Sequence, residues 1–363
     1  MNGLKIPFTG LKKQYNTLRT EILDVTDEVL RSGQLMGGNY TAEFENWLAR
    51  RNHSKYAVTC HSGSQALEII AEYYRAQTSV NPPRVVVPAM TYVATANAFV
   101  RAGWDLYIAD TDYHGLLDNK RIPEDLSIQA TVLVGLYGAT VEQFGKRFWA
   151  TDLVIEDGAQ HWLSNNSSRV GDATAISFDP MKNLNSYGNG GAVVTNDLDL
   201  LEFAREWCCN GKPAHSNIGT NSRMSEVDSA QMMVKTRYID AWQKRRANIA
   251  MYWVGRLKNS GIRSLIDTSN SDTHAFHKFV IDCDTRDVLR RNLELNGIET
   301  RIHYREPLHE LPAYSSYEGP DILSVASALS RRVLSLPLYP ELSDLEVEYI
   351  IDQVLDCALT KHS

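Results

Sequence analysis

Thr174-Ala175-Ile176-Ser177-Phe178-Asp179-Pro180-Met181-Lys182-Asn183 is the stretch whose reading decides the fold. It begins as an apolar run with no polar face, turns polar at Asp179, and leads to the glycine-rich segment Gly188-Asn189-Gly190-Gly191. A strand that is apolar on both faces is covered on both sides, as in a mostly parallel sheet wrapped by helices. Runs of the same kind occupy 56–59, 84–88, 106–110, 131–138, 153–157 and 192–195, and they alternate with helical stretches from about residue 54 to 240. In such sheets ligands collect beyond the carboxyl ends of the strands. Thr91, Tyr92, Asp157, Gln160, Asp179 and Lys182 all fall at such ends.

Outward from this core, residues 11–32 read as a helix leading into the loop Gly33-Gln34-Leu35-Met36-Gly37-Gly38. A charged helical stretch from 225 to about 259 leads into an α+β unit, with strands expected at 275–282 and 299–304 and helices near 285–296 and 343–359. The expected architecture is α/β: a large, mostly parallel sheet domain over 1–240 and a smaller C-terminal α+β domain over 241–363.

The 363 residues carry a net charge of −7, with 43% apolar and 22% charged residues, so the chain reads as an ordinary globular protein. No Lys/Arg-rich stretch stands out to neutralise a phosphate backbone, which argues against nucleic acid as a partner. No apolar run approaches the ~18 residues of a membrane-spanning helix. The five cysteines, Cys60, Cys208, Cys209, Cys283 and Cys357, lack metal-ligand spacing, and Met1-Asn2-Gly3-Leu4-Lys5 lacks the apolar core of a signal peptide. A reduced, cytoplasmic protein is expected.

Lys182 and Asp157, near the ends of two buried strands, could face each other across one pocket. That pair is what pyridoxal 5′-phosphate chemistry needs: an amine to hold the cofactor and a carboxylate to keep its pyridine nitrogen protonated. In Cys60-His61-Ser62-Gly63-Ser64-Gln65-Ala66-Leu67-Glu68 a strand runs through a small-residue turn into a helix, whose free amides and Ser64 hydroxyl form a phosphate seat. Each signal taken singly has a plainer reading. Ser62 or Ser64 could only cap a helix, Asp157 could be a turn acid, and Lys182 could be a solvated lysine. Their joint order is not a requirement of packing. His161, His274, His277 and His309 have no such support, and His274 and His277 are spaced to point to opposite faces of a β-like stretch. A nicotinamide fingerprint would need a third glycine where Val193 stands. A non-catalytic regulatory or binding protein on the same fold is the competing class, opposed by Lys182, Asp157 and Gln160.

Ser-Gly-Ser-x-Ala-Leu at 62–67, Pro88-Ala89-Met90-Thr91-Tyr92, Glu156-Asp157-Gly158-Ala159-Gln160, Ser177-Phe178 with Lys182-Asn183, Gly188-Asn189-Gly190-Gly191 and Gly219-Thr220-Asn221-Ser222-Arg223 follow one another in this order. The series resembles the DegT/DnrJ/EryC1/StrS sugar aminotransferases of pyridoxal phosphate fold type I. The resemblance implies that Lys182 carries the cofactor and shuttles the proton, and that Asp157 pairs with the pyridine nitrogen. Gln160 would contact the ring's 3-oxygen, Tyr92 would stack on the ring, and Gly63, Ser64 and Ser177 would bind the phosphate. Asn221 would complete the phosphate site of a neighbouring subunit, making a homodimer with shared active sites the working unit. Arg223, His303 and Tyr304 would line the sugar side, with the loop Met36-Gly37-Gly38-Asn39-Tyr40 bordering the same cleft.

The chain departs from the family pattern in Asn189, at a position usually acidic, in Ser64, which replaces a commoner threonine, and in a shorter 144–151 segment. L-glutamate is the implied amino donor and a nucleotide-linked keto sugar the acceptor. The implied acceptor is dTDP-4-keto-6-deoxyglucose, aminated to dTDP-4-amino-4,6-dideoxyglucose for surface polysaccharide (O-antigen). Amination at C3, or of UDP- and GDP-linked sugars, is equally compatible with these motifs.

Overall fold

The computed structural model describes residues 5–141, 151, 153–164, 170–320 and 323–359. Met1 to Leu4 and all of the 144–151 segment except Thr151 lie outside them. Helices α1 (Leu11–Ser32) and α2 (Asn39–Arg51) precede β1 (Tyr56–Cys60) and α3 (Gly63–Gln77). Then come β2 (Arg84–Pro88), α4 (Val93–Arg101), β3 (Asp105–Ala109), β4 (Ala130–Val134), β5 (Leu153–Asp157), β6 (Ala173–Ser177) and β7 (Gly191–Thr195). Helices α5 (Leu198–Trp207), α6 (Glu226–Thr236) and α7 (Ile239–Leu257) lead to β8 (Arg263–Ser264), β9 (Phe279–Asp282), α8 (Arg286–Leu295), α9 (Ser324–Arg332), β10 (Val333–Leu336) and α10 (Asp344–Leu359).

The large sheet has the strand order β1-β7-β6-β5-β4-β2-β3. Neighbours from β6 through β3 pair in parallel, while β7 runs antiparallel to both β1 and β6. It follows that β1 points the same way as β6, so the carboxyl ends of β1, β2, β4, β5 and β6 share one edge. Unbroken apolarity has the expected cause. Val85, Val87, Val132, Ile155 and Val193 pack with α3, α4 and α5 on one face, whereas Val86, Leu133 and Val154, and Ala57, Ile176 and Val194, are buried on the other. Either face would be an apolar surface in water if its helices were removed.

The second, three-stranded sheet, β10-β9-β8, is antiparallel. Its core joins Trp253 of α7, Phe279 and Ile281 of β9, Leu289 and Leu293 of α8, and Ile350, Ile351 and Val354 of α10. Ile6 belongs to this core as well, because its backbone pairs with Gly297 (2.8 Å) and Glu299 (3.0 Å).

Several local expectations change. Residues 299–304 form no strand: Arg301 makes a single bridge to Ser335, and beyond it the chain turns toward the large sheet. The run 275–282 is a strand only from Phe279, because Phe276 adopts a left-handed backbone (φ 46°) and Ala275 and Lys278 instead donate their amides to the carbonyls of Gly138 and Tyr137. Likewise β4 ends at Val134, and Leu136–Gly138 is a 3-10 turn with Tyr137 at φ 61°. Helices α2 and α9 and strand β10 have no counterpart in the sequence reading. The first turn of α2 is held from a distance: Glu226 of α6 accepts the amides of Gly38, Tyr40 and Thr41 at 2.8, 2.7 and 3.2 Å.

Candidate active site

Adjacent strands β5 and β6 end at the same edge, and Asp157 pairs in register with Ala175. Asp157 and Lys182 thereby open onto one cavity of about 340 Å³. Gly63, Ser64, Tyr92, Gln160, Ser177, His303 and Tyr304 line it too, so most of the residues singled out in the sequence converge. Asn221 and Arg223 do not: both are exposed, on a loop tied to the end of α5 by the Cys209–Asn221 bridge. The Met36–Tyr40 region also stays out of this cavity, since Glu226 ties it down beside a separate surface groove.

The β1–α3 turn gives the cavity its tightest wall. Ser62 caps α3 by accepting the Gln65 amide (3.1 Å), which leaves the first helix amides and the exposed Ser64 hydroxyl free for a ligand. A Cβ at Gly63 would sit 2.5 Å from the Ser177 Cβ, and one at Gly191 would lie 2.3 Å from the Ser62 carbonyl. Only glycine lets these backbones approach so closely.

Asp157 is 6% exposed, and both its oxygens are engaged: Oδ2 accepts the Thr95 hydroxyl (2.7 Å) and Oδ1 the Ala159 amide (3.2 Å). Since the Thr95 proton is used on Asp157, the 2.9 Å contact between Thr91 and Thr95 has Thr91 as donor. Gln160 is fixed in the same manner. Its Oε1 accepts the Tyr137 amide (2.7 Å), so its Nε2 is the group turned toward the cavity, 3.3 Å from the Tyr304 hydroxyl. Tyr92, 56% exposed, stands at the mouth with its ring centroid 6.0 Å from that of Tyr304.

Burial lowers the pKa of Lys182, with Asp157 and Asp179 opposing, so the amine is more readily neutral and nucleophilic than a solvated lysine. Desolvation first, then Lys278, pushes His303 down to about 2, and His277 is pushed well below its usual value by the same two causes. Both imidazoles are neutral at ordinary pH. The His303 carbonyl accepts the Tyr137 hydroxyl, and its Nδ1 lies 2.8 Å from the Ser335 hydroxyl. The sequence reading missed Thr95, Tyr137, His277 and Lys278 as site residues. The i, i+4 spacing of Thr91 and Thr95 at a helix start was a readable signal. Lys278 gave none, because its place depends on the 275–278 segment pairing with Tyr137 and Gly138. Among the described residues no cluster of three or more His, Cys, Asp or Glu could hold a metal, and no helix is long and apolar enough to cross a membrane.

A model of the DegT/DnrJ/EryC1/StrS aminotransferase family matches residues 16–355. The chain belongs to this family. It is 32% identical to a protein of Geobacillus stearothermophilus named pleiotropic regulatory protein, over 97% of this chain and 98% of that one. It is 31% identical to dTDP-3-amino-3,4,6-trideoxy-alpha-D-glucose transaminase of Streptomyces venezuelae, over 98% and 96% of the two chains. The crystal structure of S. venezuelae DesV, solved in complex with a ketimine intermediate, superposes with a TM-score of 0.90 at 31% identity, covering 98% of each chain. Other relatives are named for UDP- and GDP-linked sugars.

Aminotransferases of the DegT/DnrJ/EryC1/StrS family depend on pyridoxal 5′-phosphate. The residues present fit that group: free helix amides beside two serines for a phosphate, a buried and oriented carboxylate for a ring nitrogen, an amide donor for a ring oxygen, and a desolvated lysine.

Proposed function

We propose that this aminotransferase moves the amino group of L-glutamate to the keto carbon of a nucleotide-linked deoxy sugar. The observation that carries the reading is the presence of Lys182 and the hydrogen-bonded Asp157 in one cavity beside the α3 amides. Bound pyridoxal phosphate supplies the electron sink for the carbon that loses its proton. Lys182 takes that proton from the α-carbon of the donor and, in the second half-reaction, delivers one to the sugar carbon. Asp157, held by Thr95 and the Ala159 amide, keeps a proton on the ring nitrogen, and the Gln160 Nε2 donates to the ring oxygen. Gly63, Ser64 and Ser177 bind the phosphate, Tyr92 covers the ring face, and His303 and Tyr304 meet the sugar. Exposed Asn221 and Arg223 reach the cavity of a second copy, so the working unit is a homodimer. The free thiols of Cys60, Cys208, Cys209 and Cys283 support a cytoplasmic location.

The acceptor expected from the sequence is dTDP-4-keto-6-deoxy-D-glucose, in a route to surface polysaccharide such as O-antigen. The name of the Streptomyces relative favours amination at C3 as a second reading. Incubating the cofactor-loaded protein with glutamate and 3-keto and 4-keto sugars linked to dTDP, UDP and GDP, with mass detection of the amine, separates the readings. A protein that takes up no cofactor, or one that aminates no member of the panel, would refute the proposal.

A further inference from the structure

Lys278 is a second lysine in the cavity. It is 6% exposed, it lines the wall with Lys182, and it also borders a small pocket behind Lys182 that extends to Phe8 and Glu341. Among the described residues no carboxylate lies within salt-bridge distance of its ammonium; its contact is the Phe8 ring, 5.4 Å from the centroid, which the Arg301 guanidinium shares at 5.5 Å. The largest charges that act on it are mostly of its own sign: Lys182, Arg246 and Arg301, with Asp179 opposing. Burial and these cations push its pKa well down. A methionine would fill the same space without that cost, so packing does not explain an amine here.

We propose that Lys278 binds the α-carboxylate of the amino donor. This inference rests on the aminotransferase reading above. The reacting amine must reach the group that Lys182 holds, and the donor's carboxylate is attached to the same carbon, so its binding group must lie close to Lys182. Among the described lining residues the strongest bases are Lys182 and Lys278, and a carboxylate brought beside either amine favours its protonated form against the burial that lowers it. Lys182 is committed to the cofactor and Arg223 of a second copy to the sugar side, which leaves Lys278 as the chain's own cation for the donor. Hydroxyls at the reacting end of a keto sugar need no cation, whereas a carboxylate entering a desolvated cavity does.

The test uses the cofactor-loaded protein and its absorbance, which follows the two half-reactions separately. Lys278→Met is expected to keep the cofactor colour and to raise by about tenfold or more the L-glutamate concentration needed for half-maximal conversion. Conversion back by the keto sugar should change little, and Lys278→Arg should restore much of the loss. The preference for L-glutamate over γ-aminobutyrate, which carries no carboxylate on the reacting carbon, should shrink in Lys278→Met by a similar factor. Lys278→Gln, which keeps a polar side chain in the cavity wall and removes the charge, should raise the glutamate requirement in the same way and carries the test if the methionine variant folds poorly. Unchanged glutamate dependence in Lys278→Met, equal slowing of both half-reactions, or an effect on the sugar alone would overturn the inference and leave the aminotransferase reading intact. If the unsubstituted protein is not converted by glutamate at all, the donor assignment falls, and this inference with it.

Discussion

Asp157 shows how the site is tuned by contacts between single atoms. Its carboxylate is buried yet satisfied, because the relay from Thr91 to Thr95 ends on one oxygen and the Ala159 amide on the other. Thr95→Val keeps the shape and removes the donor. A lost hydrogen bond to a charged group lowers the rate by about ten- to a hundredfold, and the cofactor should remain bound. Steady-state turnover compared with absorbance of the same sample checks this. Lys182→Ala removes both the attachment and the proton carrier. Turnover should fall by about a hundred- to ten-thousandfold and the colour of lysine-bound cofactor should vanish, which absorbance after dialysis would show.

At the scale of elements, the site depends on how closely the start of α3 and the end of β6 approach. Gly63→Ala would press a methyl group against Ser177. It should cost about 1–3 kcal/mol of stability and weaken cofactor binding, measurable by urea unfolding and by titration with pyridoxal phosphate. Helix α6 braces the loop that follows Lys182: Lys235, fully buried, donates to the Asn185 carbonyl (2.7 Å) and lies 3.7 Å from the centre of the Tyr187 ring. Desolvation pushes its pKa down to about 7. Between there and the ordinary value of 10.5 the unfolded chain holds a proton that the folded chain lacks, so stability rises with pH across that window. The slope from this residue is at most about 1.4 kcal/mol per pH unit. Urea unfolding of the cofactor-free protein should show this rise, and Lys235→Met should flatten it; an identical pH dependence in the variant would refute the assignment.

For the molecule as a whole, the exposure of Asn221 and Arg223 is the feature one subunit does not use. If they serve a partner's site, Lys182→Ala and Asn221→Ala proteins, each impaired as homodimers, should complement when subunits are exchanged. Statistical mixing leaves one intact site in each mixed dimer and recovers about a quarter of the normal activity. Turnover measured before and after subunit exchange decides it, and no recovery would mean that each site is complete within one chain.

The sequence by itself determined the covered sheet, the run of α1 and the convergence of Gly63, Ser64, Asp157, Gln160, Ser177 and Lys182, because strand ends and helix starts are written in local runs of apolar and small residues. Each of those residues is placed by its own strand or turn. What only the tertiary structure decided is set by contacts between distant segments: α2, whose first turn is held by Glu226; the irregular course of 275–278, which borrows its hydrogen bonds from Tyr137 and Gly138; and the entry of His277 and Lys278 into the cavity. A backbone that satisfies its hydrogen bonds with a remote partner leaves no periodicity to read.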